Sequence, residues 1–526
     1  MSNDTPVDND GLMITPEYRI FNPWVVAFTV MLATFMLVLD TSIANVALPH
    51  IAGNLSATVD EGTWVLTSYL VANGIVLPLS GWLSRMFGRK RLYITCVGLF
   101  TFTSFLCGLA PNLTSLIIFR ILQGLSGGAM QPLSQSILVE SFPREKRGMA
   151  MAVYGMGVVV APIIGPTLGG WITDSYNWRW IFFINVPTGI LAIILNTIVI
   201  HDPPHILRRS SMKGVHLDLI GLCFLSLGLG ALQLVLDKGQ KNDWFASNFI
   251  VILTVVFVVS LSFALIWELK RKDPIINLHL FKDRDFAMAT GILFIIGFGL
   301  YGSTVLLPLF LQTLMGYNSF NAGLVMSPGG LVTLVMMPVV GFLTGKMHAR
   351  WLICIGLCIG ALGLFEMSRF DLNLSFNHAM VSRMIISGSL AFLFVPINAV
   401  AYSRLPKQVY DQAAGLINLS RNLGASFGIS FVTTLLARRA QFHQTILSSH
   451  TSEYNPIFAK MAATIKAGLM SRGESAYTAA IQSKAILYRI MQRQAMTLSY
   501  IDAFWVLGVM FLLVIPLIFF LRENND

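Results

Sequence analysis

The chain has 526 residues, of which 55% are hydrophobic and only 12% charged, and its mean hydropathy is +0.68. This composition excludes a water-soluble globular protein and predicts a polytopic membrane protein. The formal net charge of +10 does not indicate nucleic-acid binding, because the basic residues form short clusters between apolar runs. The five cysteines lie within apolar runs. Neither a metal site nor a cofactor is predicted.

Apolar windows of about 20 residues recur along the whole chain and predict about fourteen membrane-spanning helices. The run that follows residues 1–22 is too long for a signal-peptide core, so no cleaved targeting segment is expected. The expected fold class is therefore an all-α integral membrane protein. The predicted spans begin near Trp24, Thr63, Leu92, Leu113, Met149, Trp180, Leu217, Phe249, Phe286, Ala322, Trp351, Ala379, Ala414 and Tyr500.

Alternate connections between these spans are basic. Basic loops stay in the cytoplasm, and an even number of spans places both termini there too. The segment 437–499 is basic yet falls on the outer side, which is allowed because long loops cross membranes regardless of charge. The basic connections hold Arg85/Arg89/Lys90/Arg91, Arg144/Lys146/Arg147, Arg208/Arg209/Lys213, Lys270/Arg271/Lys272/Lys282/Arg284, Lys346/Arg350 and Arg404/Lys407.

The first span contains LDTSIANVALP, residues 39–49, with the carboxylate of Asp40 inside an apolar run. A charge there costs roughly 2.5–3.5 kcal/mol, so it needs a partner, a proton or a function. By the rise per residue of a helix, Asp40 lies about 22–25 Å from the cytoplasmic start of helix one, and Arg120 about 12 Å from the outer start of helix four. Both lie in the outer half of the membrane. We predict that they pair; the alternative is that each reaches water separately.

Two further helices carry unusual patterns. Helix four places Arg120, Gly124, Gly127, Gln131 and Gln135 on one face, which must contact protein or a water-filled cavity. Helix five interrupts an apolar span with proline and glycine, which indicates either a packing seam or a bent helix at a moving interface. These interruptions are Pro162, Gly165, Pro166, Gly169 and Gly170.

The chain also contains an internal repeat. In helix twelve, Arg383, Gly388 and Pro396 fall nearly where Arg120, Gly124 and Pro132 fall in helix four. Two six-helix bundles, with two additional spans between them, are therefore predicted, as in many secondary transporters. The expected divisions are a tail 1–22, a bundle 23–200, two linking helices 201–285, a bundle 286–521 including a long outer loop 437–499, and a tail 522–526.

Six segments together resemble the fourteen-span drug:proton antiporter family of the major facilitator superfamily, and in particular its EmrB-like branch of multidrug exporters. LDTSIANVALP resembles the first-helix signature, GWLSRMFGRK (81–90) the loop between helices two and three, and RILQGLSGGA (120–129) the helix-four motif. GPTLGG (165–170) resembles the antiporter motif, and WRWIFFINVP (178–187) and LDKGQKNDWF (236–245) are closer still to that branch. The resemblance covers nearly the whole chain.

The resemblance implies a proton-coupled exporter of small amphipathic drugs that works by alternating access in the bacterial inner membrane. It also implies an EmrA-like membrane-fusion adaptor and a TolC-like outer-membrane channel as partners. The loop 437–499, with helix-like stretches at 476–494, is either a docking surface for the adaptor or a flexible cap. Asp40 and Arg120 are the expected proton-coupling residues. The expected substrate cavity is lined by Asn45, Gln131, Gln135, Tyr301, Asn398, Asn418 and Arg421.

The gating elements are expected in the loop motif and in helix five. The motif departs from the family at Arg85, where an acid is usual, so its gating ion pair needs another carboxylate, and Glu140 is a candidate partner for Arg89 or Lys90. The predicted gating set is Gly81, Gly88, Arg89, Lys90, Glu140, Pro162, Gly165, Pro166, Gly169 and Gly170.

Functions other than drug export fit the sequence less well or equally use its fold. The same fold would serve a proton-linked importer, or an exporter of a single metabolite, fatty acid or siderophore. A membrane enzyme is disfavoured, because the sequence holds no HExxH, GxSxG or Walker A pattern. A receptor without transport is also disfavoured, because it would have no use for charged residues at membrane depth. The chain has four of these, Asp40, Arg120, Arg383 and Arg421.

Overall fold

We describe a computed structural model of the chain, covering residues 22–201, 218–271, 274–449, 451 and 455–519. The predicted tails, except for residue 22, lie outside the described residues. So do the basic residues Arg208, Arg209, Lys213 and Lys272, and the side chain of Pro166.

The described chain is built from α-helices joined by short turns, and it contains no strand within these residues. In the first half the helices are α1 (Pro23–Asn54), α2 (Val59–Gly62), α3 (Trp64–Val76), α4 (Ser80–Phe87), α5 (Arg89–Leu109), α6 (Leu113–Gly127), α7 (Met130–Ser141), α8 (Arg147–Ser175), α9 (Trp180–Phe183) and α10 (Asn185–Val199). The remainder are α11 (Leu219–Lys238), α12 (Asn248–Lys270), α13 (Arg284–Thr313), α14 (Ser319–Leu343), α15 (Ala349–Met367), α16 (Phe376–Ala401), α17 (Tyr410–Ser448), α18 (Pro456–Met470) and α19 (Ala476–Ile518).

The helices account for the fourteen predicted spans. Twelve are long and apolar enough to cross a membrane, and the pair α3 and α4, bent by 60°, makes a thirteenth. The fourteenth is α17, which is less apolar because it carries polar groups such as Asn418 and Arg421 at membrane depth. The architecture is the predicted one: two six-helix bundles with α11 and α12 between them.

The bend between α3 and α4 has a local cause. Pro78 lies between the two helices and has no backbone N–H to donate. The following turn, from α4 to α5, passes through Gly88, whose φ of 83° lies in the left-handed region that favours glycine. The end of the molecule that holds this turn also holds the start of α1 and the start of α8. We call it the basic end, and the opposite one the loop end.

Helices α13 and α17 pack with their backbones in close contact. A Cβ atom built on Gly424 would lie 2.1 Å from the carbonyl oxygen of Phe294, and one on Gly428 would lie 2.1 Å from that of Phe298. Only glycine fits at either place, and the GxxxG spacing is typical of such close pairs in membranes. This contact fixes the position of α17 in the second bundle.

The segment predicted as an outer loop, 437–499, is largely helical. Helix α17 continues to Ser448, and α19 begins at Ala476 rather than near Tyr500. The Ser475 side chain caps α19 by accepting from the N–H of Thr478. With 39 and 43 residues, the two helices extend about 58 and 64 Å, far beyond a hydrocarbon core of about 30 Å. We call their projecting ends, with α18, the loop-end hairpin.

One ion-pair cluster joins the two helices where the hairpin leaves the bundle. Arg439 Nε donates to Asp502 Oδ2 at 2.6 Å, and His443 Nε2 lies 2.6 Å from the same oxygen. Farther out, Gln444 Nε2 donates to the Tyr488 hydroxyl at 3.0 Å. These contacts pack α17 and α19 against each other at the base of the hairpin.

The glycine contact predicts a difference in stability between two single substitutions. We expect Gly424→Ala to lower the free energy of unfolding by about 1–3 kcal/mol, because the added methyl group overpacks the interface with α13. Gly291→Ala on α13 is the control, since its Cβ would meet nothing within 4 Å. Thermal unfolding of both purified variants in detergent tests this, and equal melting temperatures would contradict the packing described.

Candidate functional site

Asp40 and Arg120 form a buried ion pair in the first bundle. Arg120 Nη1 donates to Asp40 Oδ2 at 2.6 Å, and the two side chains are 1% exposed or less. The pair joins the middle of α1 to α6. A carboxylate at this depth is therefore held as an ion pair and not left alone in apolar surroundings.

Two amide side chains complete the coordination of the Asp40 carboxylate. Gln123 Nε2 donates to Asp40 Oδ1 at 3.0 Å, and Asn185 Nδ2 donates to the same oxygen at 2.7 Å. Sequence reasoning missed both amides. Gln123 lies one helical turn from Arg120, and Asn185 belongs to the WRWIFFINVP segment, so each carried a signal. Ionised Asp40 thus accepts from three side chains on α6 and α10.

Arg120 is positioned as firmly as its partner. Its Nε donates to the carbonyl oxygen of Val65 at 3.1 Å, and its guanidinium lies 4.2 Å from the centre of the Tyr69 ring. A Cβ on Gly124 would lie 2.5 Å from the Tyr69 carbonyl oxygen, so α6 approaches α3 at this glycine. Hydrogen bonds and a cation–π contact therefore hold the cation in place on α3.

The glycine-rich part of α8 packs beside this ion pair. A Cβ on Gly165 would lie 2.3 Å from Ser42 Oγ, and one on Gly169 would lie 2.9 Å from Ile43 Cγ2. Both neighbours follow Asp40 on α1. Pro162 is exposed, and a Cβ on Gly170 would meet nothing within 4 Å. The structure therefore contains the predicted packing seam, in an unbroken helix. Movement at this seam remains a prediction.

A chain of amide side chains connects the two bundles at the centre. Gln135 Nε2 donates to Asn398 Oδ1 at 2.6 Å, and Asn418 Nδ2 donates to Gln135 Oε1 at 2.6 Å. Arg421 Nη2 continues the chain by donating to Asn418 Oδ1 at 2.7 Å, and it lies 3.4 Å from Gln131 Oε1. Five of the seven predicted cavity residues are thus brought together, from α7, α16 and α17.

The other two predicted cavity residues lie outside this hydrogen-bonded chain. Tyr301 on α13 is 41% exposed. Asn45 is exposed on α1, beyond Asp40 toward the loop end. The structure does not join Asn45 to the central amides.

At the basic end, a carboxylate from the second bundle is inserted into the first. Arg89 donates to Glu140 and forms an ion pair with Asp411, with 3.0 Å between Nε and Oδ1. Ser84 Oγ and Ser136 Oγ both donate to Asp411. We call this group of five residues the Asp411 lock. Asp411 supplies the acid that the loop motif lacks, and Glu140 holds the other side of Arg89.

The rest of the loop motif packs around this lock. A Cβ on Gly81 would lie 2.6 Å from the Cα of Gln412, so the backbones of α4 and α17 touch. Arg85 Nη2 donates to the carbonyl oxygen of Pro274 at 3.2 Å, and Lys90 is half-buried beside Arg89. Arg147 at the start of α8 also crosses between the bundles. It donates to the carbonyl oxygen of Tyr402 and to the hydroxyl of Tyr410.

The arrangement consists of three groups of buried polar contacts. A buried ion pair lies in one bundle, an amide chain bridges both bundles, and the lock closes the basic end. The hydrogen bonds described between the bundles all come from this end or from the centre. Within the described ranges no cluster of three or more histidine, cysteine or acidic residues is placed to hold a metal.

Comparison with known proteins gives consistent matches. Residues 30–429 match the family model described as Major Facilitator Superfamily. The chain is 42% identical to "Multidrug export protein EmrB" of Haemophilus influenzae over 430 residues, covering 81% of this chain and 83% of that protein. It is 37% identical to "Fatty acid resistance protein FarB" of Neisseria gonorrhoeae, covering 93% and 94%.

Solved structures share the fold at low sequence identity. A double-tryptophan mutant of XylE superposes with a TM-score of 0.62 at 15% identity, covering 95% of this chain and 96% of that one. The human organic anion transporter MFSD10 gives 0.60 at 12% identity, covering 93% and 100%. These likenesses concern the fold alone.

The Asp411 lock predicts how the basic end opens. We expect Asp411→Asn to weaken the contacts with Arg89, Ser84 and Ser136, and so to increase amide hydrogen exchange in α4 and in the first turns of α17. Hydrogen–deuterium exchange of the full-length protein in nanodiscs measures this.

The control for this experiment is Asp285→Asn. Asp285 Oδ2 pairs with Arg404 Nε at 3.2 Å within the second bundle at the same end, so its loss breaks an ion pair without freeing the bundles from each other. Unchanged exchange in α4 of the Asp411 variant would show that the lock does not hold the bundles together.

Proposed function

The chain belongs to the major facilitator superfamily of secondary transporters, and from this we propose that it exports small amphipathic drugs across the bacterial inner membrane in exchange for protons. It is a transporter and not an enzyme. The relative from Haemophilus influenzae bears the name of a multidrug exporter. The basic end faces the cytoplasm in this proposal, because basic connections between spans remain there.

The observation that carries the proposal is the buried Asp40–Arg120 pair. A carboxylate is stable at this depth only with a counter-charge or a proton. While Arg120, Gln123 and Asn185 all donate to it, the ionised form is satisfied. If the helices shift and Arg120 moves away, protonation is the remaining way to remove the charge. Proton binding is thus linked to the packing of α1 against α6.

The lock and the amide chain supply the change of access. With Asp411 held by Arg89, the basic end is closed. When the lock opens and α17 moves away from α4, the central amides separate too, because Asn418 lies on the same helix as Asp411. The energy comes from inward proton movement, about 2.3 kcal/mol per 100 mV of membrane potential. In this cycle the gate includes Gly81 and Gly88. Helix α1 moves against α8 at the seam formed by Gly165 and Gly169.

A second candidate function is the export of one compound class, such as a fatty acid. The relative from Neisseria gonorrhoeae bears the name of a fatty acid resistance protein and matches nearly the whole chain. Both candidates use the same coupling residues, so they differ only in the breadth of the central site.

The loop-end hairpin is the part of the protein suited to an adaptor. It projects beyond the membrane and exposes large apolar side chains, among them Tyr477 at 78% and Ile481 at 54%. These two lie one helical turn apart on α19, so they form one exposed face. We include in the proposal that an EmrA-like adaptor docks there and leads to a TolC-like channel.

The first test of the proposal concerns coupling. We expect Asp40→Asn to abolish drug–proton exchange in inverted membrane vesicles, because the variant has no group at this site to take up a proton. Arg120→Ala is expected to give the same loss. The measurement is proton release on drug addition, followed with a pH-sensitive dye, in vesicles with matched amounts of inserted protein.

Asp502→Asn serves as the control in the same assay, since Asp502 pairs with Arg439 near the loop-end hairpin and away from the coupling site. It removes a membrane-helix carboxylate without touching Asp40. Full exchange by the Asp40 variant would remove this residue from the mechanism.

The second test concerns the adaptor. We expect the double substitution Tyr477→Ser, Ile481→Ser to reduce co-purification with a cognate adaptor and to lower drug resistance in cells. Transport by isolated vesicles, which needs no adaptor, is expected to stay at the wild-type level. Tyr176→Ser is the control, because Tyr176 is an exposed tyrosine near the loop end but not on the hairpin. Normal adaptor binding by the double variant would exclude this surface.

A further inference from the structure

Two arginines of the second bundle lie at membrane depth without an acidic partner. In the first bundle Arg120 is neutralised by Asp40. Among the described residues, neither Arg383 on α16 nor Arg421 on α17 forms an ion pair with a carboxylate. Within the described part of the chain, these two positive charges of the second bundle therefore have no neighbouring carboxylate.

Arg383 has few partners of any kind. Its Nη1 and Nη2 atoms both lie 3.5 Å from the hydroxyl of Thr304 on α13, which is the outer limit of a hydrogen bond. Its Nε is buried and has no partner among the described residues. A Cβ on Gly329 would lie 3.1 Å from Arg383 Cγ, so α14 passes close to the stem of the side chain. A guanidinium has five N–H donors, and most of these are unused.

Arg421 is surrounded by neutral polar and aromatic groups. It is 7% exposed, and its side chain donates to Asn418 and lies near Gln131. Its guanidinium lies 5.6 Å from the centre of the Phe394 ring. Its Nε also has no partner among the described residues. Amide oxygens and a ring face orient the cation but do not neutralise it.

Helix α13 relates the two arginines to each other. A Cβ on Gly297 would lie 2.5 Å from the carbonyl oxygen of Arg421, and Thr304 contacts Arg383. These two positions on α13 are seven residues apart, which is about 10 Å along the helix. Tyr301 lies between them and is 41% exposed. Tyr301 thus lies on α13 between the levels of the two arginines.

A cation without a counter-charge in apolar surroundings is stable only when water solvates it or a bound anion neutralises it. Arg421 donates into the amide chain in the region assigned to substrate, and Arg383 contacts α13 at Thr304, about 10 Å along that helix from the level of Arg421. A carboxylate suits a guanidinium best, because the two can form parallel N–H···O bonds. A cationic ligand would meet repulsion at the same place.

We propose that Arg383 is the anion subsite that binds the carboxylate of an amphipathic organic acid, with the Tyr301 ring against the apolar part of the acid and Arg421 adding to the positive potential of the site. This inference rests on the proposed export function and adds the charge of the preferred substrate. Arg383 is the primary contact, since its donors are the less occupied.

The test compares two probes with the same apolar chain and opposite charge, laurate and dodecyltrimethylammonium. Full-length protein in detergent is assayed for binding of each radiolabelled probe, and reconstituted vesicles for its transport. We expect Arg383→Gln to weaken laurate binding about tenfold or more, because a charge-assisted hydrogen bond is lost. Binding of dodecyltrimethylammonium is expected to stay the same. Arg383→Glu is expected to reverse the preference of the site.

Arg369→Gln is the matched control, since this arginine lies on the same bundle but its side chain is 77% exposed. Equal losses for both probes in Arg383→Gln, or unchanged laurate binding, would overturn the subsite. Wild-type protein that transports dodecyltrimethylammonium but binds no laurate would refute the subsite and leave the export function standing. Arg383-dependent laurate binding without proton-driven transport would support the subsite and refute the export function.

Discussion

The structure depends on one constraint, which is that a charge within the membrane needs a counter-charge, hydrogen bonds, water or a bound ion to stabilise it. Asp40 shows how strongly this constraint acts on the fold. Its two oxygens accept from Arg120, Gln123 and Asn185, so a single carboxylate ties α1 to α6 and α10. Arg120 then brings in α3 through Val65. Four helices of the first bundle thus have their relative positions set by the solvation of one ion pair.

The two bundles satisfy the constraint in different ways. The first is internally neutral at its centre, whereas the second has arginines that amides and aromatic rings surround. At the basic end the bundles meet in a third arrangement, in which Asp411 of the second forms an ion pair with Arg89 of the first. In the proposed cycle, opening the basic end exposes a carboxylate and a guanidinium to water, which can solvate both. Because water stabilises both charges in the open state, separating this ion pair costs little free energy.

Local pattern and helix geometry allowed much of this to be predicted. Thirteen of the fourteen predicted starts lie close to the observed helices, and depth along the helices was enough to predict that Asp40 and Arg120 lie near each other. The amides of Gln123 and Asn185 were missed because their positions, one turn from Arg120 and within the WRWIFFINVP segment, do not by themselves show that the side chains face Asp40. Asp411 was missed because its role depends on how the bundles meet, which no local pattern specifies. The start of α19 was misplaced since hydropathy marks where lipid begins and not where a helix begins.

Helix α17 connects the two ends of the protein. One continuous helix holds Asp411 at the basic end, Arg421 at the centre, and Arg439 at the base of the loop-end hairpin. Close glycine contacts with α13 hold the middle of this helical rod against the second bundle. A molecule that binds the hairpin more tightly in one tilt of this rod must, by thermodynamic reciprocity, also shift the equilibrium of the lock. In the proposed orientation, a partner bound at the hairpin and the lock at the basic end are thus energetically coupled through one helix about 58 Å long.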